Sequence, residues 1–293
     1  MRWAEGFIAV DWGTTNRRAY LIDGSGSRVD EFEDAKGVLS VAAGGFPAAV
    51  AEIRARLGDK PLLLAGMIGS NRGWMEAPYV PCPAGLDDLA GKLVWAGVRE
   101  AIVPGVSFLG QGRADVMRGE EVQLLGAVAA GIVARDALVC HPGTHNKWAL
   151  LRGGVIHIFG TVMTGELFSL LKEHSILAEL LQRPVEVNDA FKRGVRRALE
   201  RDMLPADLFE ARAEVLLGQM ERDDAPSYVS GLLVGTDVRI GLTWPLAARI
   251  PVMGRKELTQ LYAAAIGEAG REAIELDGEG CFLAGINEIA KRI

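Results

Sequence analysis

Apolar positions alternate or cluster in short runs at the start of the chain, which predicts strands over residues 7–11 and 17–22, with a third over 27–33. Helical spacing follows from Pro47 to Leu57, with the proline in the first turn, where its missing N–H costs nothing. Pro61 to Ala65 is a wholly apolar run and reads as a buried strand. The glycine-rich stretch Gly66 to Gly73 reads as a loop. Residues 86–96 have the pattern of a helix, 101–109 that of a strand pair broken at Pro104-Gly105, and 119–134 that of a long apolar helix. Three short strand patterns then return at 137–140, 147–151 and 155–159. From Thr164 onward the pattern is helical apart from 250–253 and 273–276. The order is three strands and α/β, then three strands and mostly helices with two strands. No Pro/Ser linker separates the halves, so the boundary is placed where the strands restart, near residue 135.

Composition narrows the function classes. A chain of 293 residues with 49% hydrophobic residues can build one large or two medium cores. The net charge of −6 argues against a broad basic surface for nucleic acid. The three cysteines are far apart and outside any CxxC spacing, so neither a disulfide framework nor a zinc site is expected. That usage suits the cytosol. No charged-then-apolar leader opens the chain, and its longest apolar run, Leu124 to Ala134, is too short to span a bilayer.

The restart repeats the opening. Residues 13–21 read GTTNRRAYL and residues 143–151 read GTHNKWALL, with Gly, Thr, Asn, Ala and Leu in register and Arg17 opposite Lys147. Each block follows an apolar strand and precedes another, which is the position of a first hairpin. Amides of a Gly-Thr turn form a nest for an anion. Two such turns, one from each half, suit a polyphosphate chain. Asp11, at the end of the first strand, suits a magnesium ion held through water. A turn-capping aspartate is the plainer explanation for Asp11 alone. No GxxxxGK[ST] loop, GxGxxG turn or protein-kinase motif is present, so ATP use would rest on these hairpins.

The segments DWGTTNRRAYL (11–21), GMIGSNRGWMEAPY (66–79), DVMRGEEVQLLGA (115–127), HPGTHNKW (141–148), GTVMTGELF (160–168), SGLLVG (230–235) and LTQLYAAA (258–265) together resemble sugar kinases of the actin, Hsp70 and hexokinase superfamily. Within it they are most similar to the 2-dehydro-3-deoxygalactonokinases. Val122 stands where that family usually has Thr, and Asn146 where Ser or Cys is common. The resemblance implies a duplicated two-domain α/β fold of the actin-like ATPase (ribonuclease H-like) kind with a cleft between domains. The expected domains are 1–134 with 280–293, for substrate and phosphate, and 135–279, for nucleotide. It also implies ATP and Mg²⁺, and phosphorylation of the 6-hydroxyl of 2-dehydro-3-deoxy-D-galactonate in galactonate breakdown. The implied partner is a small sugar acid, with neither nucleic acid nor membrane, and with room for a homodimer.

On this resemblance, Gly13, Thr14 and Thr15 meet the β- and γ-phosphates, and Gly143, Thr144 and His145 form the second turn. Lys147 is either a phosphate ligand or a solvated strand charge. Related kinases place the catalytic base at the N-terminus of the helix before the second hairpin, which leaves Glu120, Glu121 and Asp115, in that order of preference. Adjacent residues lie about 100° apart on a helix, so the two glutamates face different ways. Both could instead merely offset the helix dipole. Arg118 is a candidate for the substrate carboxylate, and Gly69, Ser70, Asn71 and Trp74 for the substrate loop. Gly254, in the strand-to-helix segment 251–262, allows close approach of adenine. The basic helix with Lys192, Arg193, Arg196, Arg197 and Arg201 reads as a solvated face. Competing functions are a kinase of this fold for another sugar or sugar acid, such as the gluconate epimer, an Hsp70-like or actin-like ATP-driven partner protein, and a sugar-binding module without a metal site.

Overall fold

The computed structural model describes residues 3–110, 112–244 and 249–293. They form two units. The first runs to Asp136 and includes Leu151–Ile158 and Glu279–Ile293, and the second comprises Ala137–Leu150 and Phe159–Gly278. The expected bounds differ from this division mainly at 151–158. There, Ala84 and Ile156 exchange two backbone hydrogen bonds of 2.9 and 3.0 Å, and Arg135 donates to Gly153 O, which ties the 153–156 turn to the first unit.

The first unit contains β1 (Phe7–Trp12), β2 (Arg17–Ile22), β3 (Arg28–Asp34), α1 (Phe46–Leu57), β4 (Leu62–Gly66), β5 (Tyr79–Pro81), α2 (Leu86–Ala90), β6 (Val94–Trp95), β7 (Glu100–Ile102), β8 (Gly105–Gly110), β9 (Arg113–Met117) and α3 (Glu120–Ala129). The chain continues with β10 (Ala137–His141), β11 (Asn146–Arg152), β12 (Val155–Val162), α4 (Thr164–His174), α5 (Asp189–Glu200), α6 (Leu204–Leu216), α7 (Ala225–Gly241), β13 (Arg249–Gly254), α8 (Lys256–Glu268) and β14 (Glu272–Asp277), all in the second unit except Leu151–Ile158 of β11, β12 and the turn between them. Helix α9 (Gly278–Ala290) closes the chain and belongs, from Glu279, to the first unit.

The repeat seen in nine residues extends to whole sheets. One sheet has the order β3-β2-β1-β4-β7-β6, the other β12-β11-β10-β13-β14. In both, the first strand of a three-strand run pairs in parallel with a later strand, β1 with β4 and β10 with β13. Parallel central strands are covered on both faces and so read as continuous apolar runs. Leu62, Leu63, Leu64 and Ala65 of β4 are all buried, as are Leu138, Val139 and Cys140 of β10. A third, three-stranded sheet, β5-β8-β9, also belongs to the first unit.

Three elements differ from expectation. The helix expected over 86–96 stops at Ala90, and Val94–Trp95 pairs antiparallel with β7 instead, because edge pairing satisfies backbone groups that a lone helix end would not. The helix expected to reach residue 134 ends at Ala129. The basic face of α5 is only partly solvated. Arg197 and Arg201 each lie 2.9 Å from the buried Asp207, Arg193 lies 3.1 Å from Glu214, and Arg196 lies 2.9 Å from Glu268. Strands β5 and β9 had no recognisable pattern, being short and broken by proline or charge.

Candidate functional site

In the first unit the site grows from the carboxyl end of β1. Asp11 is the last polar residue of a buried strand, and its side chain keeps 24% exposure. The antiparallel register sets Arg18 of β2 opposite Asp11, with Arg18 Nη1 3.9 Å from Asp11 Oδ2. Arg17 points to the other face of the strand, as alternation requires. It is fully buried, donates to both oxygens of Asp34 at 3.2 and 2.7 Å and to Ala49 O at 3.3 Å, and lies over the Trp12 ring. The pairing of Arg17 with Lys147 in the repeat therefore carries no shared phosphate role, because Arg17 is spent inside the unit.

The turn after β1 has a definite polarity. Gly37 N–H donates to Thr15 O, Val38 N–H to Gly13 O, and Leu39 N–H to Thr14 O, at 2.8, 3.0 and 3.3 Å. The three carbonyls of the turn are thus bound from one side, while the amides of Thr14 and Thr15 have no partner among the described residues. Both threonines are exposed. Gly37 must be glycine for this, since a Cβ there would lie 2.3 Å from Thr14 O. Nothing in the sequence marked Gly37.

Helix α3 begins beside the same carboxylate. Gly66, at φ +90°, has room for no side chain: a Cβ would lie 2.9 Å from Trp12 O and 3.4 Å from Asp11 Oδ1. A Cβ on Gly119, at φ +115°, would lie 3.3 Å from Gly66 Cα. The ends of β1 and β4 and the N-terminus of α3 thus meet through two glycines, which brings the positive dipole end of the helix close to the end of β1. Of the three candidate bases, Glu120 is half-buried, with Oε2 accepting from Arg118 N–H at 3.1 Å. Asp115 lies on β9 with Oδ1 accepting from Val116 N–H at 2.8 Å. Glu121 is fully buried, and both its oxygens accept from Gly119 N–H, at 2.9 and 2.7 Å.

Burial, and then the neighbouring Glu120 charge, push the Glu121 carboxyl up to about 8 from an ordinary 4.5. The folded protein therefore keeps a proton there that the unfolded chain releases above pH 4.5. Between these values folding takes up a proton, so stability falls as pH rises, by about 1.4 kcal/mol per pH unit at full linkage. Glu121→Gln removes the proton exchange and keeps an acceptor for Gly119. Its melting temperature should match wild type near pH 4.5, rise above it progressively towards pH 8, and stay level beyond. Thermal melts of both proteins across pH 4.5–9 check this. A constant difference would mean that Glu121 is ionised in the folded state.

The candidate substrate loop is held by its own backbone. Ser70 Oγ donates to Met67 O at 2.7 Å and accepts from Arg72 N–H, so this hydroxyl holds the loop itself. Trp74 is half-buried against the core under β1 and β4, and Asn71 is exposed. Arg118 is 9% exposed, stacks 4.4 Å from the Tyr79 ring centroid, and donates from Nη2 to Ala77 O at 2.7 Å. Its Nε and Nη1 are buried with no partner among the described residues. Gly69 makes space for the guanidinium, since a Cβ there would lie 2.8 Å from Nη1. Tyr79 was not anticipated.

In the second unit the turn 143–145 follows β10 as its counterpart follows β1. The amides of Gly143, Thr144 and His145 have no partner among the described residues. The start of α4 packs directly on this turn. Glu166 N–H donates to Thr144 O at 3.0 Å, the Glu166 carboxylate pairs with His145 Nε2, and a Cβ on Gly165 would lie 2.6 Å from Gly143 O. Lys147 is buried, not a solvated strand charge, with Nζ 3.5 Å from His145 O. Gly254 ends β13, where a Cβ would lie 3.2 Å from Pro142 O. It borders a cavity of about 430 Å³ lined also by Lys256, Thr259, Gln260, Glu275 and Asp277, at the carboxyl ends of the parallel β13 and β14.

Residues 11–289 match the family profile of 2-keto-3-deoxy-galactonokinase. The chain belongs to that family. It is 36% identical over 291 residues to the 2-dehydro-3-deoxygalactonokinase of Escherichia coli K12, covering 98% of each chain. It is 34% identical to a counterpart in Rhizobium meliloti named as a probable 2-dehydro-3-deoxygalactonokinase, covering 98% of this chain and 97% of that one. Among solved structures, one assigned to a 2-dehydro-3-deoxygalactonokinase from Sinorhizobium meliloti superposes with a TM-score of 0.91 at 33% identity, over 97% of this chain and 98% of that one. The activator of 2-hydroxyisocaproyl-CoA dehydratase from Clostridium difficile, solved with bound ADPNP, shares the fold at 11% identity and a TM-score of 0.50, over 98% and 95% of the two chains. The family and this likeness place the chain among the actin-like ATPase folds, as the doubled sheet order indicates.

Proposed function

We propose that this family member transfers the γ-phosphoryl group of ATP to the 6-hydroxyl of 2-dehydro-3-deoxy-D-galactonate, as a cytoplasmic step of galactonate breakdown. The observation that carries the reading is the first turn. Its carbonyls are bound from behind and its Thr14 and Thr15 amides have no partner among the described residues, beside a partly exposed carboxylate and a helix N-terminus. That arrangement suits an anion next to a cation. Gly13, Thr14 and Thr15 would hold the β- and γ-phosphates. Gly143, Thr144 and His145 offer amides of the same kind to nucleotide phosphates. The cavity at Gly254 is of a size for a nucleoside, with Glu275 and Asp277 able to accept hydrogen bonds from ribose hydroxyls.

Among the described residues no group of three His, Cys, Asp or Glu side chains could cage a metal. One carboxylate is nonetheless the donor set that suits Mg²⁺, which keeps most of its water and takes the rest of its ligands from phosphates. Asp11 would hold it, and its chemistry would be to neutralise charge on the phosphates. Glu120 would take the proton of the 6-hydroxyl as that oxygen bonds to the γ-phosphorus and ADP leaves. Glu121 is less suited, since it is enclosed and already accepts from Gly119. Arg118, whose buried Nε and Nη1 have no acceptor among the described residues, would be the cation for the substrate carboxylate, and Gly69, Ser70, Asn71 and Trp74 would form the wall of its loop. An assay of ADP release with Mg-ATP should give the highest turnover with 2-dehydro-3-deoxygalactonate, less with the gluconate epimer, and none with sugars lacking a carboxylate. Equal turnover of neutral sugars would overturn the assignment.

A further inference from the structure

One buried carboxylate in the second unit is used by none of the steps above. Asp237, on α7, is fully buried, and four side chains converge on it. Oδ1 accepts from Asn146 Nδ2 at 2.8 Å and from Trp148 Nε1 at 2.7 Å. Oδ2 accepts from the Thr164 and Tyr262 hydroxyls. The Cys140 thiol reaches the same cluster through Asn146 Oδ1 at 3.5 Å. The donors come from β11, α4 and α8, so one carboxylate joins four elements.

Two of these donors flank the second turn. Asn146 is the residue immediately after 143–145. Thr164 opens α4, whose next two residues pack on the turn: Gly165 lies against Gly143 O, and Glu166 holds both Thr144 O and the His145 ring. The turn therefore has two attachments, its own outgoing strand and the start of α4, and both are tied to Asp237. Trp148 and Tyr262 fix the carboxylate in turn. A turn that binds an anion through three unpartnered amides works only if those amides keep a common direction, because misplacement of about 1 Å is costly.

We infer that Asp237 is a positioning residue for nucleotide binding: by holding Asn146 and Thr164 together it keeps the amides of Gly143, Thr144 and His145 aimed at one phosphate. The inference rests on the reading that this turn holds nucleotide phosphates. Two chemically different pairs of donors make it selective to test. The N–H pair on Oδ1 can only donate, whereas the two hydroxyls on Oδ2 can turn and accept. Asp237→Asn can thus keep all four contacts with its amide towards the hydroxyls, while Asp237→Ala leaves four donors buried without an acceptor. Thr164→Val removes only the tie to α4 at nearly constant volume, and Thr164→Ser restores it.

The experiment is calorimetric titration of Mg-ADP into wild type and these variants without acceptor, with KM for the sugar acid and melting temperature measured alongside. Thr164→Val and Asp237→Ala should weaken Mg-ADP about tenfold or more. Asp237→Asn and Thr164→Ser should stay within about threefold of wild type, with KM for the sugar acid unchanged throughout. Should Asp237→Ala fail to fold, Thr164→Val decides alone. A lower melting temperature with unaltered Mg-ADP affinity would make Asp237 a purely structural residue and overturn the inference. Absence of Mg-ADP binding by the wild type would instead overturn the kinase reading itself.

Discussion

Glu120→Gln is expected to lower kcat for phosphorylation of the sugar acid by about 10²–10⁴-fold, the range attributed to a positioned acid or base. KM for ATP should hardly change, since the substitution leaves the turn amides and Asp11 in place. Glutamine can still accept from the Arg118 amide through its side-chain oxygen, so the first turn of α3 and the 66–79 loop keep their geometry. Only the capacity to take a proton is lost. Glu121→Gln is the internal control. Its carboxyl is enclosed, with both oxygens on Gly119 N–H, so this variant should retain kcat within about fivefold while altering the pH dependence of stability. Steady-state kinetics of the two variants, with melting curves to verify folding, separate the glutamates. If Glu121→Gln proves the inactive one, the base lies inside the helix turn and the site must open to reach it. If both stay active, Asp115 is the next residue to test.

Asp11→Asn should lower kcat by about 10²–10³-fold, as expected for losing a charged group that orients phosphate charge. It should also weaken Mg-ADP binding more than it weakens ADP binding in the presence of a chelator, and this second readout is independent of turnover. The charge argument is local. Arg18 lies 3.9 Å from Asp11, so removal of the carboxylate leaves a guanidinium without that partner near the turn and can partly strengthen metal-free ADP binding. Equal weakening with and without Mg²⁺ would assign Asp11 to the turn's own structure, in keeping with the common capping use of aspartate.

The alternation and clustering of apolar residues placed most strands and helices to within a few positions, because a buried parallel strand such as Leu62–Gly66 must be apolar on both faces. The nine-residue repeat announced a duplicated fold, because both blocks form the turn after the first strand of a three-strand run. Asp11, the Gly-Thr turns, MRGEE and the 66–79 loop were legible as candidates, because their residue types suit a phosphoryl-transfer site. Tertiary structure decided the rest. That Arg17 turns inward to Asp34 while Arg18 meets Asp11 depends on strand register, which one residue of slip would invert. Glu120 and Glu121 are identical in composition, and only packing separates a half-buried carboxylate from one sealed against Gly119. Gly37, Gly66 and Gly165 matter because backbone segments distant in sequence approach them too closely for a Cβ, a fact no local pattern records. Asp237 lies 89 residues from Trp148 and 91 from Asn146, and its role exists only once β11, α4, α7 and α8 are brought together. The chain by itself determined which chemistry is on offer, through residue type and spacing. Packing alone determined which of those groups remain free to use it, since burial and hydrogen-bond partners are properties of contacts between remote segments.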